Sequence, residues 1–255
     1  MSASIRATGL ALLLTGCSVF GQTTGTYEPS VGQAGKDVVW VPTPQGLVDK
    51  MLDMAKVTPK DFVMDLGSGD GRTVITAARR GARAVGIEFN PDMVQLARGN
   101  AQKAGVSERA TFLQQDLFKT DLSQATVITM FLLPGINLKL RPKILALKPG
   151  TRVVSNTFTM GDWQADDIQT VQDDCSSSWC TALLWYVPAR VAGNHKTAQG
   201  EFALKQDFQM LSGTVRTEDG RTVPVSGRVR GDEVTLTAGS QSWKGRVNGK
   251  ALELH

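Results

Sequence analysis

The first strong pattern along the chain is a short apolar run, Phe62-Val-Met-Asp-Leu66, ending in Gly67-Ser-Gly-Asp-Gly71. A run of that length bounded by glycine predicts a buried strand feeding a tight turn. Arg72 to Arg80 has helical character, and Gly81 suits the position just past a helix end. Ala84-Val-Gly-Ile-Glu88 predicts the next strand. Asn90-Pro91 predicts a helix start, with a capping Asn followed by Pro at the first helical position. Met93, Ala97, Ala101 and Ala104 keep helical spacing, and Gly105 stops that helix. Further strands are expected at 110–114, 127–132 and 151–156, and a helix over 137–147, closed by Lys148-Pro-Gly150. The β-α-β-α order predicts an α/β fold with an open, doubly wound parallel sheet and helices on both faces. Ligands of such sheets sit beyond the carboxyl ends of the strands.

After residue 200 the period changes to two. Glu201 to Leu254 alternates apolar and polar positions, and Gly-x-Val recurs at Gly213, Gly227 and Gly245. Turn signals follow each repeat at Glu218-Asp-Gly220, Gly231-Asp232 and Asn248-Gly249, the last a strong hairpin signal. The expectation is a C-terminal antiparallel β-meander over 199–255, of about four to six short strands, with the α/β domain spanning 37–198. Such a region either packs on the sheet domain or forms a small partial barrel. Its role is to stabilise that domain or to bind a protein or envelope partner.

The N-terminus reads as an address. Arg6 precedes the apolar stretch Ala7–Leu14, which has secretory length and is too short to cross a membrane as a helix. Leu14-Thr15-Gly16-Cys17 resembles a bacterial lipobox. That resemblance implies removal of residues 1–16 and lipidation of Cys17, giving an exported lipoprotein held at a periplasm-facing membrane surface. The alternative is a plain signal peptide with Cys17 incidental. Residues 17–36, rich in Gly, Thr, Gln and Ser, read as a flexible tether.

Composition narrows the chemistry. With 41% hydrophobic and 20% charged residues in 255, the chain is a folded protein of one or two domains. His195 and His255 are the only histidines, and Cys17, Cys175 and Cys180 the only cysteines, so neither a His-rich metal site nor a Cys₄ site is available. The net charge of +4 comes without a run of five or six Lys/Arg, so nucleic acid is not an expected partner. Cys175-Ser-Ser-Ser-Trp-Cys180 suits a structural disulfide in an oxidising compartment better than a redox motif.

The central chemistry comes from a glycine loop and two carboxylates. Gly67, Gly69 and Gly71 let backbone approach a ligand, and Glu88 ends the next strand, where an acid accepts hydrogen bonds from ribose hydroxyls. This much fits a dinucleotide or S-adenosylmethionine (SAM). Asp65 discriminates: a carboxylate two residues before Gly67 repels a pyrophosphate but attracts an amino group and a sulfonium. Arg72 also stands where a dinucleotide fingerprint wants a small residue.

Asp65-Leu-Gly-Ser-Gly-Asp-Gly71 resembles motif I of the Rossmann-like SAM-dependent methyltransferases. Trp40-Val-Pro-Thr-Pro44, Gly86-Ile-Glu88, Phe131-Leu-Leu-Pro134, Leu147-Lys-Pro-Gly150, Val153-Val-Ser-Asn156 and Gly161-Asp-Trp163 are similar to one subgroup, the archaeal protein-lysine methyltransferases and their mitochondrial relatives. The resemblance covers about residues 37–165. It implies that Asp65, Gly67, Ser68 and Gly69 cradle the methionine end of SAM, Glu88 binds the ribose, Asp116 and Leu117 flank the adenine, and Thr43 covers the cofactor. It places Phe131 near the transferring methyl and Asn156, with Phe158 and Trp163, at the acceptor mouth; core and loop packing are the competing explanations. Phe131 lacks the hydroxyl of the Tyr common at this position. The expected function is N-methylation of a protein, at lysine, by direct displacement. The alternative, motivated by the export address, is a lipoprotein binding module on an inactive methyltransferase scaffold.

Overall fold

The computed structural model describes residues 27–172, 175 and 178–255. The expected signal peptide (1–16), Cys17 and the first part of the expected tether (17–26) lie outside the described residues. The apolar run ahead of the glycine turn forms β1 (Phe62–Leu66). With it pair β2 (Arg83–Glu88), β3 (Ala110–Gln114), β4 (Val127–Met130), β5 (Arg152–Asn156), β6 (Asp167–Thr170) and β7 (Thr181–Tyr186), in the order β3-β2-β1-β4-β5-β7-β6. The first five are parallel, and β7 runs antiparallel to both β5 and β6. Strand order reverses between β1 and β4, which opens a crevice beyond their carboxyl ends.

One face of the sheet is covered by α1 (Gln45–Met54), α2 (Arg72–Arg79) and α3 (Pro91–Lys103), whose Leu47, Val74 and Ala97 join one core with Val63, Phe112 and Val154. The other face carries α4 (Pro134–Leu145), with Ile136, Leu140 and Ile144 in a core shared with Ile128, Val153, Trp163 and Trp185. The start of α3 is as expected: the Asn90 side chain accepts the Asp92 N–H and Pro91 is the first helical residue. The helix expected from 137 instead begins at Pro134, which suits a first helical position because its missing N–H would be unpaired there anyway. The strand expected to reach 132 stops at Met130, so Phe131 to Leu133 turn into the crevice.

The second sheet is a meander of β8 (Gly193–Thr197), β9 (Gly200–Asp207), β10 (Met210–Arg216), β11 (Thr222–Arg230), β12 (Glu233–Ala238), β13 (Gln241–Asn248) and β14 (Ala251–Leu254), each antiparallel to the next. It has seven strands rather than four to six, and it begins before residue 199. Gly193-Asn-His-Lys-Thr197 lacks apolar alternation and is drawn in only by pairing with β9. The Gly-x-Val repeat is a close-approach device. A Cβ at Gly213, Gly227 or Gly245 would lie 1.9, 2.2 or 1.9 Å from a carbonyl oxygen of the adjacent strand, while Val215 and Val229 fill the core two residues on. The sheet therefore coils until β14 lies beside β8, where Gln199 Nε2 donates to the Leu254 carbonyl at 3.2 Å.

The meander both curls into a near-barrel and packs on the α/β domain. Phe208, in the β9–β10 turn, stacks on Trp163 with ring centroids 6.0 Å apart. Gln209 Nε2 donates to the Gln164 carbonyl at 2.7 Å, and Arg228 pairs with the buried Asp166.

Candidate functional site

The crevice holds a cavity of about 200 Å³. Asp65, at the end of β1, aims its carboxylate at this cavity from a buried position and accepts the Thr129 hydroxyl at 2.6 Å from the facing residue of β4. Burial above all, with smaller contributions from the neighbouring Asp70 and Glu88 and against the Thr129 hydrogen bond, pushes its pKa up to about 7. A buried acid in that state is stabilised by any cation placed beside it.

The turn after β1 needs its glycines. Gly69 has φ +51°, and a Cβ there would stand 2.6 Å from the indole nitrogen of Trp40. Its N–H donates to Glu88 Oε2 at 3.0 Å, while Glu88 Oε1 accepts the N–H groups of Phe89 and Asn90 at 2.8 and 3.0 Å. The β1 turn and the end of β2 are thus locked together, with Glu88 still lining the cavity.

A strap of chain covers this cradle. Residues 33–43 line the cavity, stitched by the Gly32 N–H to Trp40 carbonyl bond and an Ala34–Val39 bridge. Thr43 faces in, and Arg72 holds its carbonyl at 2.9 Å while gripping Asp70 with Nε and Nη2. Lys36 reaches Asp116 at 2.8 Å and lies over the Phe89 ring. Lys36 beside Asp116 also holds that carboxyl below its usual range. The expected tether therefore ends earlier than 36: its last residues fold into the site, anchored by the Lys36–Asp116 pair. Among the described residues, the cavity lining sets Lys36 and Arg72 against five carboxylates: Lys36 pairs with Asp116 and Asp37 and Arg72 with Asp70, which leaves Asp65 and Glu88 without a cationic partner.

Of the residues singled out from sequence, Thr43, Asp65, Gly67, Glu88, Asp116, Leu117 and Phe131 line the cavity. Ser68, Gly69 and Asn156 do not. The Ser68 side chain turns away to lie over Gly86, where its buried hydroxyl has no hydrogen-bond partner. Gly69 is occupied with Glu88 and sits beneath Trp40. Asn156 is fully buried behind the strap and donates to the Thr43 hydroxyl at 3.3 Å, so it stands behind Thr43 and not at the mouth. Trp163, expected at the mouth, is buried instead between Trp185 and Phe208. The mouth is aromatic: Phe131 stacks on Phe158 at 5.8 Å and meets the edge of Trp179 at 6.0 Å. Trp179 belongs to the loop closed by a Cys175–Cys180 disulfide, the expected pairing. Thr129, Trp40, Arg72 and Trp179 were not anticipated as site residues. The Trp next to the Val-Pro-Thr-Pro segment was the one available signal.

The order β3-β2-β1-β4-β5-β7-β6, the glycine turn and an anionic cavity whose lining cations are already paired define a Rossmann-like SAM-dependent methyltransferase. The cradle fits SAM: two carboxylates face space that its amino group, sulfonium and ribose require. The model of the ANTKMT methyltransferase domain matches residues 65–167. A protein-lysine N-methyltransferase of Saccharolobus islandicus is 46% identical over 139 residues, 53% of this chain and 86% of that protein. The mouse adenine nucleotide translocase lysine N-methyltransferase is 40% identical over 119 residues, 46% of this chain and 52% of its own. A crystal structure from Salinibacter ruber, described as an RNA methyltransferase in complex with S-adenosyl-L-homocysteine, is 50% identical, with a TM-score of 0.55, covering 59% of this chain and 96% of that one. The chain belongs to this family of SAM-dependent methyltransferases, and SAM is its cofactor.

Proposed function

We propose that the protein methylates the side-chain amine of lysine in a protein acceptor. The observation that carries this reading is the juxtaposition of an anionic donor cradle with an aromatic mouth at Phe131 and Phe158. SAM brings an electrophilic methyl on a sulfonium. Asp65 and the Gly67 turn hold the methionine end, Glu88 the ribose, and Asp116 and Leu117 flank the adenine. Thr43, seated by Asn156 and Arg72, closes the cover. Phe131 and Phe158 exclude water from the approaching amine, which lowers its pKa and leaves it neutral for in-line attack. Naming of relatives as lysine methyltransferases supports the acceptor class.

The test uses SAM with a tritiated methyl, the purified protein and a cell lysate as acceptor, followed by acid hydrolysis. Tritium in methyllysine is the expected result, lost in Asp65→Asn. Label in RNA would overturn the lysine assignment in favour of the reaction named for the Salinibacter ruber protein. SAM binding with no transfer to either fraction would favour the inactive scaffold.

The export address is part of the same proposal: an anchor at Cys17 places the enzyme at a periplasm-facing membrane surface, and the Cys175–Cys180 disulfide supports an oxidising compartment. Fatty-acid labelling of the full chain should vanish in Cys17→Ser. Retained label would remove the anchor from the account.

A further inference from the structure

We infer that Trp179, held in place by the Cys175–Cys180 disulfide, is the third wall of an acceptor cage formed with Phe131 and Phe158, and that this cage selects an alkylammonium group. The inference deepens the lysine reading and rests on it. Trp179 reaches the cavity from outside the parallel sheet core: it stands just before β7, on a loop that contributes no backbone to the donor cradle. A disulfide closes that loop with Cα atoms 5.8 Å apart. Cys180 is buried beside the start of β7, and the Cys180 carbonyl accepts the Val171 N–H at 2.9 Å just past β6. One end of the loop is therefore fixed to the sheet, and the covalent bond carries that fixity back to Cys175. The tryptophan, one residue before the fixed end, is held against Phe131.

The chemistry of such a site follows from the rings. Phe131 stacks on Phe158 with planes 19° apart, Trp179 stands at 60° to Phe131, and all three side chains line the cavity. Each ring face attracts a cation, and indole does so most strongly. Carboxylates outnumber cations in the cavity lining, so a protonated alkylamine is drawn to the mouth, where it gives its proton to solvent before transfer, while a phosphate-bearing chain is repelled. After transfer, the same walls retain a methylated ammonium, which has lost hydrogen-bond donors but kept its charge. A plain hydrophobic plug would seal the cavity against apolar groups and charged groups alike.

The experiment separates this inference from the function on which it rests. The protein is saturated with S-adenosylhomocysteine and titrated by calorimetry with choline and, in parallel, with its neutral isostere neohexyl alcohol. The wild type should bind the cation and not the alcohol. Trp179→Ala should weaken cation binding about five- to thirtyfold, and Trp179→Phe should restore most of it. The double variant Cys175→Ser with Cys180→Ser should weaken it to a similar extent, with S-adenosylhomocysteine affinity unchanged in all three. In turnover with a lysine acceptor, the loss should fall on KM rather than kcat. Equal binding of cation and alcohol, or cation binding indifferent to Trp179→Ala, would overturn the cage while leaving methyl transfer standing. Loss of S-adenosylhomocysteine binding in wild type would instead overturn the methyltransferase reading itself.

Discussion

Asp65 is the residue on which the site's energetics turn. In the folded protein its pKa is raised to about 7 because burial penalises the carboxylate. The unfolded chain gives it an ordinary value, so between about pH 4 and pH 7 the folded state binds more protons, and this group's contribution to stability falls as pH rises through that window. Asp65→Asn should therefore stabilise the ligand-free protein at pH 8, by on the order of 2–4 kcal/mol, while abolishing tight SAM binding. Thermal denaturation and calorimetry on the same samples measure both, and a less stable variant at pH 8 would contradict the charge argument. SAM binding runs the opposite way. A cationic donor requires ionised Asp65, so affinity should rise about tenfold from pH 6 to pH 8 in wild type, and this increment should be missing from Asp65→Asn.

At the scale of elements, the cradle is assembled from pieces that share no local sequence. The strap is fastened to the first residue of α2 by Arg72 and to the β3 side of the crevice by Lys36. Arg72→Met removes the hydrogen bond to the Thr43 carbonyl together with the ion pair to Asp70, and should raise the dissociation constant for SAM about fivefold, with a stability loss of no more than about 1 kcal/mol for the partly exposed pair. A variant that binds as tightly as wild type would leave the strap without a holding role. What sequence could reveal follows from the same geometry. The β1 turn, the α2 and α3 ends and Glu88 were legible because glycines, Asn90-Pro91 and apolar runs act within a few residues. Long-range facts were not: Ser68 turns aside because Gly86 on β2 leaves room for it, Asn156 points behind Thr43 because of where the strap crosses, and β8 is a strand only because β9 pairs with it. Thr129 acquires its role from parallel register with Asp65, which no local pattern encodes. The disulfide was legible as a pairing, whereas the position of Trp179 between its cysteines gained meaning only when the loop met Phe131.

At the scale of the molecule, the two faces of the parallel sheet are dressed unequally. Three helices cover one face, while α4 shares the other with loop residues and the β-meander. Trp163 and Trp185 lie on that second face, and Phe208 from the β9–β10 turn closes over Trp163, with the Arg141 guanidinium 5.2 Å from the Phe208 ring centre. The meander thus substitutes for part of a helical layer, and the segment it clasps, 163–166, follows closely on the chain that carries Phe158 to the cavity. Such a shared core implies that the two sheets unfold together. Wild type should show a single thermal transition. Phe208→Ala removes a ring from that core at a cost of about 2–3 kcal/mol, which for a chain of this size corresponds to a midpoint lower by about 5–10 °C. Adding Arg228→Ala, which strands the buried Asp166 carboxylate without its cation, should lower it further and begin to separate the transitions. SAM affinity, set beyond the carboxyl ends of the strands by Asp65 and Glu88, should survive the single substitution at low temperature. Two well-separated transitions in the unaltered protein would show instead that the meander is an independent appendage, and the stabilising role assigned to Phe208 would fall with it.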